Sequence, residues 1–301
     1  MIRGLMLGAA AVVVLTLVAV WALTIPASAP LNRSPSAPAD LANGREMFLA
    51  GGCSSCHAIP DQPDKTRLGG GLALRTVFGT FHVPNISPDA TDGIGGWTEE
   101  QFVIAVAQGV SPQRRHYYPA FPYTSYRRMT VDDQRDLFAY LKTLPPVKGR
   151  TREHEMRFPY SIRRLVGLWK LLFVDDGPFR ADPSHSPQWN RGAYLVNGVG
   201  HCAECHSPRN MFGAVVAGKR FTGGPSPDGR GGVPNITQYK LKDWSEADIA
   251  QTLLDGATPD ADKVGGNMLE VVRNTAQLTA EDRAAIAAYI KSLPAREGQG
   301  P

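Results

Sequence analysis

Apolar and polar positions alternate with three different periods along the chain, and the period alone divides it. From Leu5 to Ile25 the run is almost uninterrupted, broken only by Gly8, Thr16 and Thr24. That matches the ~20 apolar residues of helix needed to cross a bilayer. Ala27-Ser28-Ala29 has the small residues of a signal-peptidase site. The apolar run nevertheless exceeds the ~7–15 residues of an ordinary signal core, and Pro30 follows at once. An uncleaved anchor over residues 1–25 is expected, with Arg3 on the short side directing the remainder outward by the positive-inside rule. Pro26, Pro30, Pro35 and Pro38 punctuate residues 26–39, which read as a tether. In polyproline II at ~3.1 Å per residue it would reach roughly 40 Å.

Helical periodicity begins at Asp40. A short helix from Asp40 to Leu49 places Leu41, Met47 and Phe48 inward. A second starts at Trp97-Thr98-Glu99-Glu100, with Thr98 as cap, and stops at Gly109. A third begins at Thr130, has Asp132 and Asp133 in its first turn and Leu137, Phe138 and Leu141 on one face, and ends before Pro145. The same punctuation returns as Gly192 to Val199, Trp244-Ser245-Glu246 to Gly256, and Thr279 to Leu293. Residues 69–92 and 218–235 lack a helical period and are expected to be loops. Between the two sets, Phe158, Ile162, Leu165, Val166, Trp169, Leu172 and Phe173 form one apolar helix face, with Arg163, Arg164 and Lys170 off it. A basic amphipathic helix of this kind can lie on a membrane surface; packing between two domains is the preferred reading.

The two sets are copies of one unit. Cys53 and Cys202 lie 149 residues apart, and Val83-Pro84-Asn85-Ile86 recurs 150 residues later as Val233-Pro234-Asn235-Ile236. Trp97 and Trp244, and Gly109 and Gly256, are 147 apart, whereas Tyr140 and Tyr289 are again 149 apart. Two extra residues therefore enter the second copy between Gly256 and Tyr289. The expected organisation is an anchor at 1–25, a tether at 26–39, one copy at 40–147, a joint at 148–190, a second copy at 191–295 and a tail at 296–301.

Composition fits two domains: 301 residues, 43% hydrophobic and 20% charged, can bury two ordinary cores. With 32 basic and 28 acidic residues the net charge is only +4, which gives no case for a nucleic-acid partner. All four cysteines fall in Cys53-Ser54-Ser55-Cys56-His57 and Cys202-Ala203-Glu204-Cys205-His206. Cys-x-x-Cys-His is the attachment pattern of c-type haem. Two thiols a turn apart form thioethers to the vinyl groups, and the adjacent histidine ligates the iron. A disulfide, a redox dithiol or half a zinc site would not explain a histidine after the second cysteine both times. Two covalent haems, bound by Cys53, Cys56, Cys202 and Cys205 with His57 and His206 as iron ligands, are expected. Their attachment belongs outside the bacterial inner membrane, on its periplasmic side. The fold expected is mainly α: two tandem class I cytochrome c domains with long haem-wrapping loops behind an N-terminal transmembrane helix. The repeated Val-Pro-Asn-Ile is expected to pack on the porphyrin and offer its asparagine to a propionate.

A sixth ligand remains to be found for each iron, and methionine is the usual donor in electron-transfer cytochromes. Of seven methionines, Met268 stands in the segment before the final helix, where a distal ligand belongs. Its register partner in the first copy falls at Pro119 or Phe121, and no methionine is there. Met129 ranks first for that haem, although its counterpart is Leu278 and methionine often fills core gaps. His116 and an open iron site remain as alternatives.

Asn85-Ile86-Ser87-Pro88-Asp89, Gly93-Ile94-Gly95-Gly96-Trp97, the run Tyr117 to Tyr126 (YYPAFPYTSY) and Val271-Val272-Arg273-Asn274-Thr275 carry a resemblance. Across residues 40 to 295 the chain resembles bacterial membrane-associated multihaem cytochromes c, including the cytochrome subunits of alcohol, aldehyde and gluconate dehydrogenases. The resemblance implies an electron-transfer protein or subunit rather than a catalyst in its own right. It would take electrons from a periplasmic dehydrogenase and pass them to an oxidase, a quinone-linked complex or a soluble cytochrome. The chain departs from that family in having two haems rather than three, and Phe121 where many members have methionine. A haem enzyme of the peroxidase or thiosulfate dehydrogenase type, and an obligate subunit of a larger complex, stay open as alternatives.

Overall fold

The computed structural model describes residues 2–26, 28, 38–175, 177–226 and 231–298. Most of the expected tether, the Ala27 and Ala29 of the cleavage-like site, and the end of the tail lie outside the described residues. The leading apolar run forms α1 (Ile2–Leu23), which buries no residue.

In the first copy Asp40 caps α2 (Leu41–Ala50) by accepting from the Ala42 and Asn43 N–H groups. Met47 and Phe48 are buried as expected, but Leu41 faces solvent. One turn later comes α3 (Cys53–His57). The stretch expected as loop contains an antiparallel hairpin, β1 (Ala73–Thr76) and β2 (Gly79–His82), with Ala73 opposite His82. Four-residue strands are too short for alternation to stand out from a loop. α4 (Glu99–Gln108) opens with a reciprocal capping box between Thr98 and Gln101 and closes at Gly109 in the left-handed region. α5 (Tyr123–Tyr126) is a single turn, and α6 (Val131–Leu141) is capped by Thr130.

The joint supplies β3 (Glu155–Met156), which pairs with β2, and α7 (Val166–Phe173). The second copy then repeats the first. α8 (Pro187–Asn197) starts earlier than expected, because Ser186 caps it and Pro187 occupies the first turn. A short pair, β4 (Gly224–Pro225) and β5 (Gly232–Val233), follows, then α9 (Gln238–Leu241) and α10 (Glu246–Asp255), capped by Ser245 and ended by Gly256. Met268 opens α11 (Met268–Thr275) rather than lying in a loop. α12 (Ala280–Lys291) completes the copy.

In each copy the first and last helices cross at a glycine. A Cβ on Gly44 would lie 2.1 Å from the Asp136 carbonyl oxygen, and one on Gly192 would lie 1.9 Å from that of Ala285. Only glycine lets α2 meet α6, and α8 meet α12, at that distance. One continuous buried cluster joins the copies, running from Met47, Phe48 and Met129 to Tyr194, Val199 and Ile286.

α7 packs mainly on the first copy. Lys170 Nζ donates to the Gln108 and Gly109 carbonyls at the end of α4, at 2.7 and 2.8 Å. The Trp169 indole reaches the second copy, donating to the Phe212 carbonyl at 2.9 Å. The preferred packing role therefore holds for part of the helix only. Thr24, just past α1, is buried, and its carbonyl lies 3.0 Å from His116 Nε2. The end of α1 is thus held against the first copy rather than a tether's length away.

Candidate haem-binding sites

Each Cys-x-x-Cys-His motif starts from a residue in the left-handed region, Gly52 at φ 55° and His201 at φ 40°. That turn swings the following segment out of the preceding helix direction. Cys53, Cys56 and His57 then fall within one helical turn, and Cys202, Cys205 and His206 do the same through a short 3₁₀ turn. None of the four cysteines is in a disulfide, and Cys56 and Cys205 are exposed.

The histidines are pre-set as ligands. His57 Nδ1 lies 2.9 Å from the Pro84 carbonyl, and His206 Nδ1 lies 2.8 Å from that of Pro234. A carbonyl only accepts, so Nδ1 carries the hydrogen and Nε2 keeps its lone pair. Desolvation pushes His57 down to about 4 and His206 below its ordinary range. Both imidazoles are neutral at pH 7, as an iron ligand must be. Two thiols and one such imidazole per motif fit a covalently held haem.

The same loop explains the repeated Val-Pro-Asn-Ile. Asn85 Nδ2 donates to the Val147 carbonyl at 2.7 Å and that of Gly149 at 3.1 Å, while its Oδ1 accepts from Ser87 N–H at 2.9 Å. Asn235 likewise donates to the Arg296 carbonyl at 2.8 Å and accepts from Thr237 N–H at 2.8 Å. The asparagines lock the loop to the strand of chain leaving the last helix, so the proline carbonyl stays on the histidine. Their amide groups are spent there, not on a propionate as expected.

The distal segments are where the copies differ. Val110 bridges His116 as Ala257 bridges Lys263, and Arg114 and Ala261 share positive φ values of 57° and 59°. His116 thus occupies the place of Lys263 and turns its ring to Thr24. Tyr117 N–H bonds to Gly109 as Val264 N–H bonds to Gly256, and Arg127 bonds to Tyr123 as Ala276 bonds to Val272. The two extra residues therefore lie between Val264 and Val272. Gly265 to Val271 replaces the shorter Tyr118 to Pro122, and Met268 sits in the middle of the longer segment. Met268 is half-buried against the core. In the shorter segment Phe121 is caged by Tyr117, Tyr126 and Tyr123, with ring centroids at 5.6, 5.7 and 6.4 Å. Met129 is buried, and its carbonyl accepts from Gln134 as that of Leu278 accepts from Arg283.

Each motif bonds to the other copy across a pseudo-twofold relation. Asn274 on α11 of the second copy bonds to Ser54 at 3.2 Å and Ser55 at 3.0 Å in the first motif. Reciprocally, Glu204 in the second motif accepts from Thr124 at 2.8 Å and Ser125 at 2.9 Å on α5 of the first copy. Ser55 corresponds to Glu204, and Ser125 to Asn274, each 149 residues on. This is the self-complementary pattern of an isologous interface, here within one chain. His201 Nε2 lies 3.3 Å from the Gly51 carbonyl, and its ring meets Tyr126 at 5.5 Å. Burial raises Glu204, but Arg209 and the Thr124 and Ser125 hydrogen bonds outweigh it, leaving the carboxyl below its ordinary range and ionised.

Residues 41–145 and residues 190–294 each match the family model for cytochrome c. The chain belongs to the cytochrome c family. It is 48% identical over 298 residues to a diheme cytochrome c-type protein of Cereibacter sphaeroides, covering 98% of this chain and 99% of that one. It is 39% identical over 274 residues to a nicotinate dehydrogenase subunit of Pseudomonas putida, covering 91% of this chain and 23% of that protein. Against the fructose dehydrogenase cytochrome subunit of Gluconobacter japonicus the identity is 36% over 266 residues, 86% of this chain and 54% of that one. The cytochrome thus spans only about a quarter and about half of those two longer relatives. It is a dihaem cytochrome c with two tandem domains and two covalently bound haem c groups.

The motif residues were legible in the sequence of this cytochrome, whereas the residues joining the motifs were not. Asn274, Thr124 and Ser125 lie far from either Cys-x-x-Cys-His. The repeat register held the one available signal, because it relates the middle residues of the two motifs, Ser55 and Glu204, and their partners, Asn274 and Ser125, by the same 149 residues.

Proposed function

We propose that this cytochrome takes single electrons from a periplasmic dehydrogenase and passes them through its two haems to a respiratory acceptor. The observation that supports it best is the reciprocal bonding of each motif to the other copy, Ser54 and Ser55 to Asn274 and Glu204 to Thr124 and Ser125, which seats each attachment segment against the opposite domain. Bound haem supplies the one-electron change of oxidation state. The chain's part is to hold it through Cys53, Cys56, Cys202 and Cys205, keep His57 and His206 neutral and oriented, and exclude water. Met268 is proposed as the sixth ligand of the second haem. Proposed localisation is the periplasmic face of the inner membrane, anchored by the 22-residue α1, which has an 18-residue stretch of mean hydropathy 2.5. The dehydrogenase names of several relatives support the donor class, including the alcohol dehydrogenase (quinone) and gluconate 2-dehydrogenase cytochrome c subunits. Deleting the cytochrome from its host and following substrate-driven oxygen uptake by membranes tests this. Uptake with one substrate should vanish while that dehydrogenase still reduces an artificial acceptor. Unchanged uptake with every dehydrogenase substrate would reject it.

Phe121 favours a second reading. It stands in the segment where the second copy has Met268, while Met129, the first-ranked ligand from sequence, takes the core place of Leu278. A first haem with no methionine on its iron would be open to an exogenous ligand, as a haem enzyme requires. Carbon monoxide separates the two: rapid stoichiometric binding by the reduced protein supports the enzyme, and no binding rejects it. If Met129 is the ligand, Met129→Ala changes the first haem's spectrum. An unchanged spectrum removes Met129 from the ligand set.

A further inference from the structure

Among the described residues outside α1, six large apolar side chains are more than half exposed: Val77 at 75%, Phe158 at 81%, Leu171 at 61%, Leu172 at 74%, Met211 at 80% and Phe212 at 53%. They belong to the turn of the β1–β2 hairpin, the joint with α7, and a turn of the second domain. These segments touch. Arg157 N–H donates to the Phe78 carbonyl at 3.0 Å, and the Phe78 and Tyr160 rings meet at 4.8 Å. A Cβ on Gly213 would lie 3.0 Å from the Phe78 ring, and the Phe173 and Phe212 rings are 5.8 Å apart. The segments that carry these six side chains therefore adjoin one another, and they come from both domains. A contiguous apolar patch on a folded surface marks an interaction site.

The position of α1 identifies the occupant. A Cβ on Gly167 would lie 2.8 Å from Thr24 Cα, so the end of α1 seats on the first turn of α7. Arg164 donates to the Trp21 carbonyl at 2.6 Å and sets its guanidinium 5.2 Å from the centre of the Trp21 ring. Gly167 and Leu171 are four residues apart and share a helix face. The first is covered by the end of α1 and the second is bare. The end of α1 and the exposed Leu171 thus lie along one side of α7. Arg157, Arg163 and Arg164 lie on the same segment, and cationic side chains beside an apolar patch suit anionic headgroups.

We propose that this patch sinks into the outer leaflet of the membrane that α1 crosses, so that both haem domains are held against the bilayer by α7 and two turns as well as by the anchor. The proposal rests on the reading of α1 as an anchor. It also fits the seating of Thr24 on the first domain, which removes the spacer that would lift the domains away.

Because haem consumes all four native cysteines, single introduced cysteines can carry a nitroxide in the full-length holoprotein. Phe158→Cys, Leu172→Cys and Met211→Cys report the patch, Gln251→Cys on α10 the open surface, and Val13→Cys the interior of α1. In vesicles of phosphatidylethanolamine and phosphatidylglycerol, electron paramagnetic resonance compares collision with oxygen and with a nickel chelate. The patch labels should show an oxygen-to-nickel ratio several-fold above that of Gln251→Cys. A high ratio at Val13→Cys with patch labels matching Gln251→Cys would overturn the proposal and leave the anchor standing. A low ratio at Val13→Cys would refute the anchor reading, and the proposal with it.

Discussion

Replacing Asn274 by alanine removes the side chain that joins α11 to the first motif. Asn274 is 5% exposed. Its Oδ1 accepts from Ser54, and its Nδ2 donates to Ser55 at 3.0 Å and to the Glu270 carbonyl at 2.7 Å. Two of these bonds cross between domains. Each neutral hydrogen bond contributes about 0.5–1.5 kcal/mol net, and a buried hydroxyl left unpaired costs about 1–3 kcal/mol. Ser54, 8% exposed, is such a hydroxyl. The expected loss is therefore about 2–4 kcal/mol. Guanidinium chloride unfolding of the holoprotein, followed by Soret circular dichroism, measures it. A cycle with Ser55→Ala sharpens the test, because both variants remove the same cross-domain bond and their losses should not add. Losses that add within about 0.5 kcal/mol would refute the reciprocal interface.

The helix crossing gives a case in which two effects oppose. Gly192→Ala gains up to about 1 kcal/mol of helix propensity, yet its Cβ would lie 1.9 Å from the Ala285 carbonyl oxygen. Overpacking of about 1–3 kcal/mol should win, and a raised melting temperature would show that α8 and α12 do not cross closely. Lys170→Met keeps the stem and loses the two donors to α4. It should cost about 1.5–3 kcal/mol, read by thermal unfolding, and a neutral result would return those carbonyls to solvent. Burial first, then the charge of Arg163, pushes His154 from 6.5 down to about 4. Between these values the unfolded chain holds a proton that the folded chain refuses, so stability falls as pH drops from 6.5 towards 4. His154→Gln should flatten that part of the stability curve, and an unchanged slope would count against the assignment. Met268→Ala should abolish the far-red thioether-to-iron band of one ferric haem, and its persistence would exclude Met268.

What the sequence disclosed was what short stretches determine. Thr98, Gly109, Thr130, Ser245, Gly256 and Thr279 fixed helix ends because capping needs only a few neighbouring residues. Cys-x-x-Cys-His identified the group because its chemistry is complete within five residues. The β1–β2 hairpin escaped because its register depends on a partner strand, and the start of α8 at Ser186 was hidden by following the first copy's boundary. Asn85 and Asn235 were given to a propionate because their true acceptors, Val147 and Arg296, lie about 60 residues on. The pairing of motifs was the least legible part, since neither Glu204 nor Asn274 has any local reason to bond outside its own domain.

With both haems in one chain and each motif seated on the other domain, the two haems should form one electron path within a single molecule. Photoreduction of the oxidised protein by less than one electron equivalent, followed at wavelengths that separate the two haems, tests it most directly. Redistribution of the electron between them should proceed at a rate independent of protein concentration. A rate that rises in proportion to concentration would mean that electrons pass only between molecules, and would contradict a path through the two domains of one chain.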